Sequence, residues 1–305
     1  MDIKKVSILI PIYGVEKYIE QCANTLFKQT YSNIEFVFVN DCTKDNSIEI
    51  LQNVIKNQSQ KLQNNIKVIN HIQNKGIAGA RNTLLENATG ELIYFLDSDD
   101  YIEIDTIEKL VFELEKQQVD IVFDSYKLVG KEINLVRHHK ILSKEEHLKQ
   151  VIFRQAYFNL WGNLYKRELF HNLSFVEGHN FGEDFSIVPK LIDRAKKISF
   201  TNYAFYHYRL LNDNSYTKNI NQKSLEDIMV AYASLKNYFD DKSPEWSNII
   251  NDSFYQLKAQ LIKTTKGDLK LLKYFKTLTN KYPKKYPNNI LLKNNLVNFL
   301  FDNLI

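Results

Sequence analysis

Glycine, proline and cysteine are scarce: the 305 residues include only 9, 5 and 2 of them. So few glycines and prolines exclude collagenous and linker-dominated architectures. No two glycines stand one residue apart, so the G-x-G dinucleotide fingerprint is missing, as is the Gly-rich Walker loop. Cys22 and Cys42, with no partner motif, build neither a disulfide framework nor a cysteine zinc site, which suits a reducing cytoplasm. Long apolar runs are also lacking. Nothing approaches the roughly 20 residues of a membrane span, and the run Val6–Ile10 ahead of Pro11 is too short for a signal-peptide core. The net charge is a mild +4, and no nucleic-acid partner is expected. The basic charge is concentrated between Lys266 and Lys293, which hold eight lysines and one acidic residue, Asp268.

What is present points to a folded α/β protein. Hydrophobic residues make up 44% of the chain, with 18 Tyr and 19 Phe to build a core. Up to about residue 126, short β-rich runs alternate with longer amphipathic stretches, the pattern of a mainly parallel sheet with crossover helices. Strands are expected at Val6–Ile10, Ile34–Asn40, Ile66–Asn70, Leu92–Leu96 and Asp120–Phe123. Helices are expected near Val15–Lys28, Asp45–Gln58, Ile77–Asn87 and Asp105–Gln117. Lys127–His139 reads as a loop or hairpin, Ser143–Arg154 as helical, and Trp161–Arg209 as a mixture of short elements. Beyond about Asn212 the chain reads as helices near Ser224–Phe239, Pro244–Lys263, Asp268–Lys281 and Asn289–Leu304. This gives a catalytic-type α/β domain over 1–211, in halves 1–126 and 127–211, followed by a helical region over 212–305.

The segment ELIYFLDSDD runs an apolar strand straight into Asp97, Asp99 and Asp100. Three carboxylates within four residues repel one another, and a divalent cation, Mg²⁺ or Mn²⁺, relieves this with oxygen ligands while bridging to phosphate. A helix cap with a solvated turn would use the same residues, but open α/β sheets bind ligands beyond the carboxyl ends of their strands. Strand Ile34–Asn40 likewise ends at Asp41, whose carboxylate would accept the imide N–H of uracil, a donor that cytosine lacks there; it would serve equally to start a turn. In IPIY, Pro11 stops the ladder and Tyr13 offers a face on which a base can stack.

VSILIPIYGVEKYIEQCANTLFKQTYSNIEFVFVND, NKGIAGARN and GELIYFLDSDD together resemble the family 2 glycosyltransferases, and the likeness continues through WGNLYKRELF, GEDFS and YHYRLLNDNS. The resemblance implies a GT-A nucleotide-sugar-binding fold. It also implies transfer, with inversion, from a nucleotide diphosphate donor, usually a UDP-sugar, with Mn²⁺ or Mg²⁺. On it, Pro11, Tyr13 and Glu16 would border the nucleotide, Asp41 would hold uracil, and Asn74 and Arg81 would lie along the uridine. Asp97, with Ser98 beside it, would face the ribose or metal, and Asp99 would ligate the metal. Asp184, with Glu183 next to it, matches the general base, and Arg209 and Ser215 match the diphosphate clamp. His207, within YHYR, would be a third metal ligand, a phosphate contact or a structural histidine. Asn40, Cys42, Gly14 and His207 replace a common aspartate, glycine, asparagine and tyrosine.

The chemistry suits these residue types. A carboxylate that removes the acceptor hydroxyl's proton contributes about 10²–10⁴ in rate. A metal and an arginine stabilise the departing diphosphate without a proton donor. Glu183 and Asp184 would equally form the acidic first turn of a helix running to Arg194, and Trp161 would serve the acceptor side or the core. The resemblance implies a saccharide or lipid-linked acceptor of cell-surface polysaccharide synthesis, handled in the cytoplasm at the inner face of the membrane. A silent nucleotide-sugar-binding scaffold is the rival reading. A sugar nucleotidyltransferase lacks support because its Gly-rich N-terminal loop is absent. At the C-terminus Leu292, Leu296, Phe299, Leu300 and Ile305 form an apolar stripe beside the lysines, suited to an anionic bilayer surface or to a second subunit.

Overall fold

A computed structural model describes residues 3–210, 220–265, 267–280, 297–298 and 301–303. Strands are β1 (Val6–Ile12), β2 (Ile34–Asn40), β3 (Ile66–Asn70), β4 (Leu92–Phe95), β5 (Tyr101–Ile102), β6 (Ile121–Val129), β7 (Asn134–Arg137), β8 (Leu164–Lys166) and β9 (Ile198–Arg209). Helices are α1 (Ile19–Leu26), α2 (Ser47–Lys56), α3 (Gln60–Gln63), α4 (Gly76–Asn87), α5 (Thr106–Gln117), α6 (Lys144–Ile152), α7 (Glu183–Arg194), α8 (Gln222–Asp240), α9 (Pro244–Thr264) and α10 (Leu269–Thr279). No described helix is long and apolar enough to cross a membrane.

By internal contacts the chain divides into two compact units that interleave along the sequence. The first comprises 1–144, 159–178 and 191–214; the second comprises 145–158, 179–190 and 215–305. The boundary passes through α7.

The first unit holds one sheet of order β3-β2-β1-β4-β8-β6-β9-β5, with β7 on β6. Strand β1 lies at its heart, parallel to β2 on one side and β4 on the other, and every residue of VSILIPI is buried. A continuous apolar run is what a strand covered on both faces requires. The chain leaves β1 in one direction and later returns to its other side as β4, so the carboxyl ends of β1 and β4 form the switch point at which such sheets bind ligands.

Pro11 does not end the ladder as expected. β1 continues to Ile12, paired with Asn40 of β2, whereas its pairing with β4 stops at Leu9–Phe95. Beyond Leu9 the β4 side is vacant, and a residue without an N–H fits there at no cost to the sheet.

The longest strand, β9, was not legible as one. It runs parallel to β6 from Ile198–Ile121 to Arg209–Val129, with a register shift at Asp124/Tyr126. The shift is stabilised by the buried Asp124 carboxylate, which accepts from the N–H groups of Tyr203, Ala204 and Phe205 and from the Thr201 hydroxyl. Ala204 takes a left-handed φ of 58° there. A bulge of this kind breaks the two-residue alternation by which a strand is recognised. Past it, β9 pairs antiparallel with β5 through His207–Tyr101 and Tyr206–Ile102, bringing the YHYR residues to the acidic loop after β4.

The second unit is helical in its C-terminal part. Asn221 and Ser224 form a reciprocal capping box on α8, Ser243 caps α9 ahead of Pro244, and Asp268 caps α10; such caps contribute about 1 kcal/mol each. Leu225, Ile228, Tyr232, Leu235 and Phe239 of α8 are buried, as are Ile250, Phe254, Leu257 and Leu261 of α9. Tyr232 and Phe254 meet at 4.8 Å. Of the expected Asn289–Leu304 helix only 297–298 and 301–303 are described, and they are helical. The stripe Leu292, Leu296, Phe299, Leu300 and Ile305 lies outside the described residues, as does Ser215.

Candidate active site

The loop after β4 carries Asp97, Ser98, Asp99 and Asp100. Asp100 points inward and is 1% exposed. It accepts the Tyr206 hydroxyl at 2.7 Å on one oxygen and the Arg209 backbone N–H at 2.7 Å on the other. The Asp97 N–H donates back to the Tyr206 hydroxyl oxygen at 3.3 Å. Burial, then the charges of Asp99 and Asp97, push the Asp100 carboxyl well above the usual carboxylate range, against those two hydrogen bonds. The third carboxylate of DSDD is thus a brace that fixes the acidic loop to the end of β9. Tyr206 is itself locked by Trp161, whose ring stacks on it at 4.3 Å and on Tyr208 at 5.3 Å. Of the two readings of Trp161, this packing and its burial are those of a core residue.

Asp97 accepts from Arg81 Nη2 at 3.3 Å. Arg81 projects from α4, is 2% exposed, and lies 5.8 Å over the Phe175 ring. Arg209 donates to Gln21, and its guanidinium lies between the rings of Tyr101 at 4.8 Å and Tyr18 at 5.5 Å. The fork therefore sits at the end of β9 against two aromatic rings. His207 stacks on Tyr101 at 4.4 Å and its Nε2 lies 2.8 Å from Glu103 Oε1. Burial pushes its imidazole below the ordinary value while Glu103 opposes the shift.

Among the described residues no three His, Cys, Asp or Glu side chains converge as a complete metal cage. The donor set still fits Mg²⁺ or Mn²⁺, because such ions take one or two carboxylates and fill the remaining octahedral positions with phosphate oxygens and water. Asp99 and Asp97 would supply the hard oxygens.

At the neighbouring strand end, Asp41 is 3% exposed. Its Oδ1 accepts the Lys75 N–H at 2.7 Å and lies 2.7 Å from His71 Nδ1, whose Nε2 in turn lies 2.9 Å from Thr83 Oγ1. Oδ2 makes no hydrogen bond among the described residues. Asn74 donates to the Asp41 carbonyl at 2.9 Å and accepts the Gly76 N–H at 3.2 Å, tying the start of α4 to the Asp41 loop. Cys42 adopts a left-handed φ of 57°, the conformation for which glycine is the ordinary choice, and its thiol donates to the His71 carbonyl at 3.0 Å. Tyr13, half exposed at 51%, follows the buried Pro11. Glu16 Oε2 accepts the Asn46 N–H at 3.1 Å, while Asp45 Oδ2 accepts the Glu16 N–H at 2.9 Å, so the loops after β1 and β2 brace each other.

Pro11, Tyr13, Glu16, Asp41, Asn74, Arg81, Asp97, Ser98, Asp99, His207 and Arg209 all belong to the first unit, at or near the carboxyl end of its sheet. Glu183 and Asp184 belong to the second unit, in the first turn of α7. Sequence reasoning missed His71, Tyr206 and the aromatic slot of Tyr18 and Tyr101. A lone histidine directly after a strand carries no spacing signal, and the slot forms only when β5 pairs with β9.

A sheet of this order, with an acidic loop at its switch point, defines a GT-A type fold. The model of glycosyl transferase family 2 matches residues 7–192, and the chain belongs to that family. It is 36% identical over 223 residues to the uncharacterized glycosyltransferase EpsJ of Bacillus subtilis, covering 70% of this chain and 63% of that relative. It is 32% identical over 219 residues to the minor teichoic acid biosynthesis protein GgaB of the same organism, covering 68% of this chain and 23% of the relative. The chain thus spans less than two thirds of the length of both relatives. The S. aureus TarS fragment 1–349, whose crystal structure holds UDP-GlcNAc, has the same fold at a TM-score of 0.75 and 21% identity, covering 92% of this chain and 82% of that one.

Proposed function

We propose that this glycosyltransferase moves a sugar, a hexose or N-acetylhexosamine, from a UDP-sugar to a hydroxyl of a saccharide or lipid-linked acceptor during cell-surface polysaccharide synthesis. Inversion at the anomeric carbon is part of the reading, as is a catalytic domain over 1–211 with a helical region over 212–305. The observation that carries it is the acidic loop at the switch point, braced through Asp100 to Tyr206 and to Arg209 at the end of β9. Support for UDP comes from the UDP-GlcNAc bound to TarS and from the geometry of Asp41; support for the pathway comes from the kinship with GgaB.

Each residue then has a task. Tyr13 offers its exposed ring to the base, and Asp41 Oδ2 accepts the uracil N3–H while His71 and Lys75 hold Oδ1. Asn74 keeps the Asp41 loop and α4 in register, and Arg81 sets the rotamer of Asp97, with Ser98 beside it toward the ribose. A divalent cation on Asp99 and Asp97, when bound, neutralises the diphosphate and stabilises it as leaving group. Arg209, and Ser215 in the matching motif, bind diphosphate oxygens, where a planar guanidinium makes paired charge-assisted hydrogen bonds. Asp184 takes the proton of the acceptor hydroxyl as it attacks, with Glu183 as its acidic neighbour. His207, held by Glu103, orients Tyr101 against Arg209. The lysine-rich C-terminal segment would place the enzyme peripherally on an anionic cytoplasmic membrane surface.

Nucleobase recognition gives the direct test. In Asp41→Asn the oxygen would keep its bonds to His71 and Lys75, and the amide N–H₂ would face the base. It would repel the uracil N3–H and suit the cytosine N3 acceptor. UDP affinity should fall roughly ten- to a hundredfold, as expected for losing a hydrogen bond to a charged group, while CDP affinity rises. Calorimetric titration of both nucleotides checks this, and an unchanged UDP/CDP ratio would remove Asp41 from the base site.

A further inference from the structure

We propose that Asp227, on α8 of the C-terminal helical region, is a positioning residue for Asp184; the inference rests on the reading of Asp184 as general base. Asp227 is 3% exposed and its carboxylate serves four donors. Oδ2 accepts the backbone N–H groups of Asn180 at 2.9 Å and Phe181 at 3.2 Å. Oδ1 lies 3.0 Å from His179 Nδ1 and 2.9 Å from Lys223 Nζ, one turn earlier on α8. Aspartate is a poor residue for a helix interior, and these bonds give it a reason to be there. It grips the loop that ends at Gly182, immediately before Glu183 and Asp184.

The next contact tightens the grip. Gly182 has a φ of 84°, and a Cβ built on it would stand 2.5 Å from Cδ1 of Ile228, the residue after Asp227. Only glycine combines that backbone with so close an approach. The Gly182 carbonyl then accepts the Ser186 N–H at 3.1 Å, the first hydrogen bond of α7. A continuous chain of bonds therefore runs from the Asp227 carboxylate through the backbone of 180–182 to the turn of α7 that carries Asp184. A base displaced by about 1 Å loses on the order of 10² in rate, whereas donor affinity does not depend on it.

The test uses the full chain carrying Asp227→Asn, which keeps the size of the side chain but can accept on one edge only. Turnover, donor KM, UDP affinity and melting temperature are measured alongside those of Asp184→Asn and the double variant. Expected is a fall in kcat of about 10²-fold with donor KM and UDP affinity unchanged, and a double variant no slower than Asp184→Asn alone, because residues acting as a unit are not additive. Gly182→Ala should show the same split between kcat and KM, and it carries the test if Asp227→Asn fails to fold. Native kcat in the folded variants, or a double variant slowed by the product of the single effects, overturns the inference. A fully active Asp184→Asn enzyme instead contradicts the base assignment, and the inference falls with it.

Discussion

Asp184→Asn should lower kcat by about 10²–10⁴-fold while leaving UDP affinity near its native value. An amide is close to a carboxylate in shape but cannot take a proton at neutral pH. The acceptor hydroxyl, with its high pKa, must lose its proton as the new bond forms. Asp184 stands in the first turn of α7 and is assigned to the acceptor's proton, whereas the nucleotide is assigned to other residues, Asp41 and Arg209 among them. Turnover and nucleotide binding should therefore separate cleanly in this variant, as they do when an interaction is made only in the transition state. Loss of UDP binding in proportion to turnover would move Asp184 to the donor side.

Asp99→Asn, and separately removal of divalent ions by a chelator, should each abolish transfer and weaken UDP binding. Asparagine keeps the oxygen but loses the charge that holds a hard cation, so the isosteric change should be nearly as severe as Asp99→Ala. The diphosphate would then meet the acidic loop with no cation between them, and like charges repel. Re-addition of Mn²⁺ or Mg²⁺ should restore the chelated native enzyme and leave Asp99→Asn inactive. Full activity of the native enzyme in chelator would place leaving-group stabilisation on Arg209 and its neighbours alone.

The first 126 residues were legible in the sequence because their physics is local. A strand buried on both faces needs an unbroken apolar run, as in β1, and an amphipathic crossover helix such as α5 shows its buried Ile107, Leu110, Val111 and Leu114 at helical spacing. The acidic loop was readable because three carboxylates at a strand end demand a partner. Asp100's role was not, since its brace comes from Tyr206 and Arg209, more than a hundred residues away. Strand β9 was hidden by its own bulge, whose stabilising carboxylate, Asp124, lies on another strand. Pro11 misled because its effect depends on which edge of β1 is vacant, a property of the sheet order. The interleaved second unit was unreadable for a similar reason: 179–190 joins the helical segments through side-chain bonds such as those to Asp227, which leave no periodic mark on the sequence.

The most direct measurement is release of the matching nucleoside diphosphate by the purified chain across UDP-, GDP- and CDP-sugars, with Mn²⁺ and with or without saccharide acceptors. At least one UDP-sugar should be turned over in a metal-dependent, acceptor-stimulated reaction that Asp99→Asn and Asp184→Asn both abolish, with the CDP- and GDP-sugars inert. Turnover confined to a GDP- or CDP-sugar, or no binding of any UDP-sugar by the intact acidic loop, would contradict it.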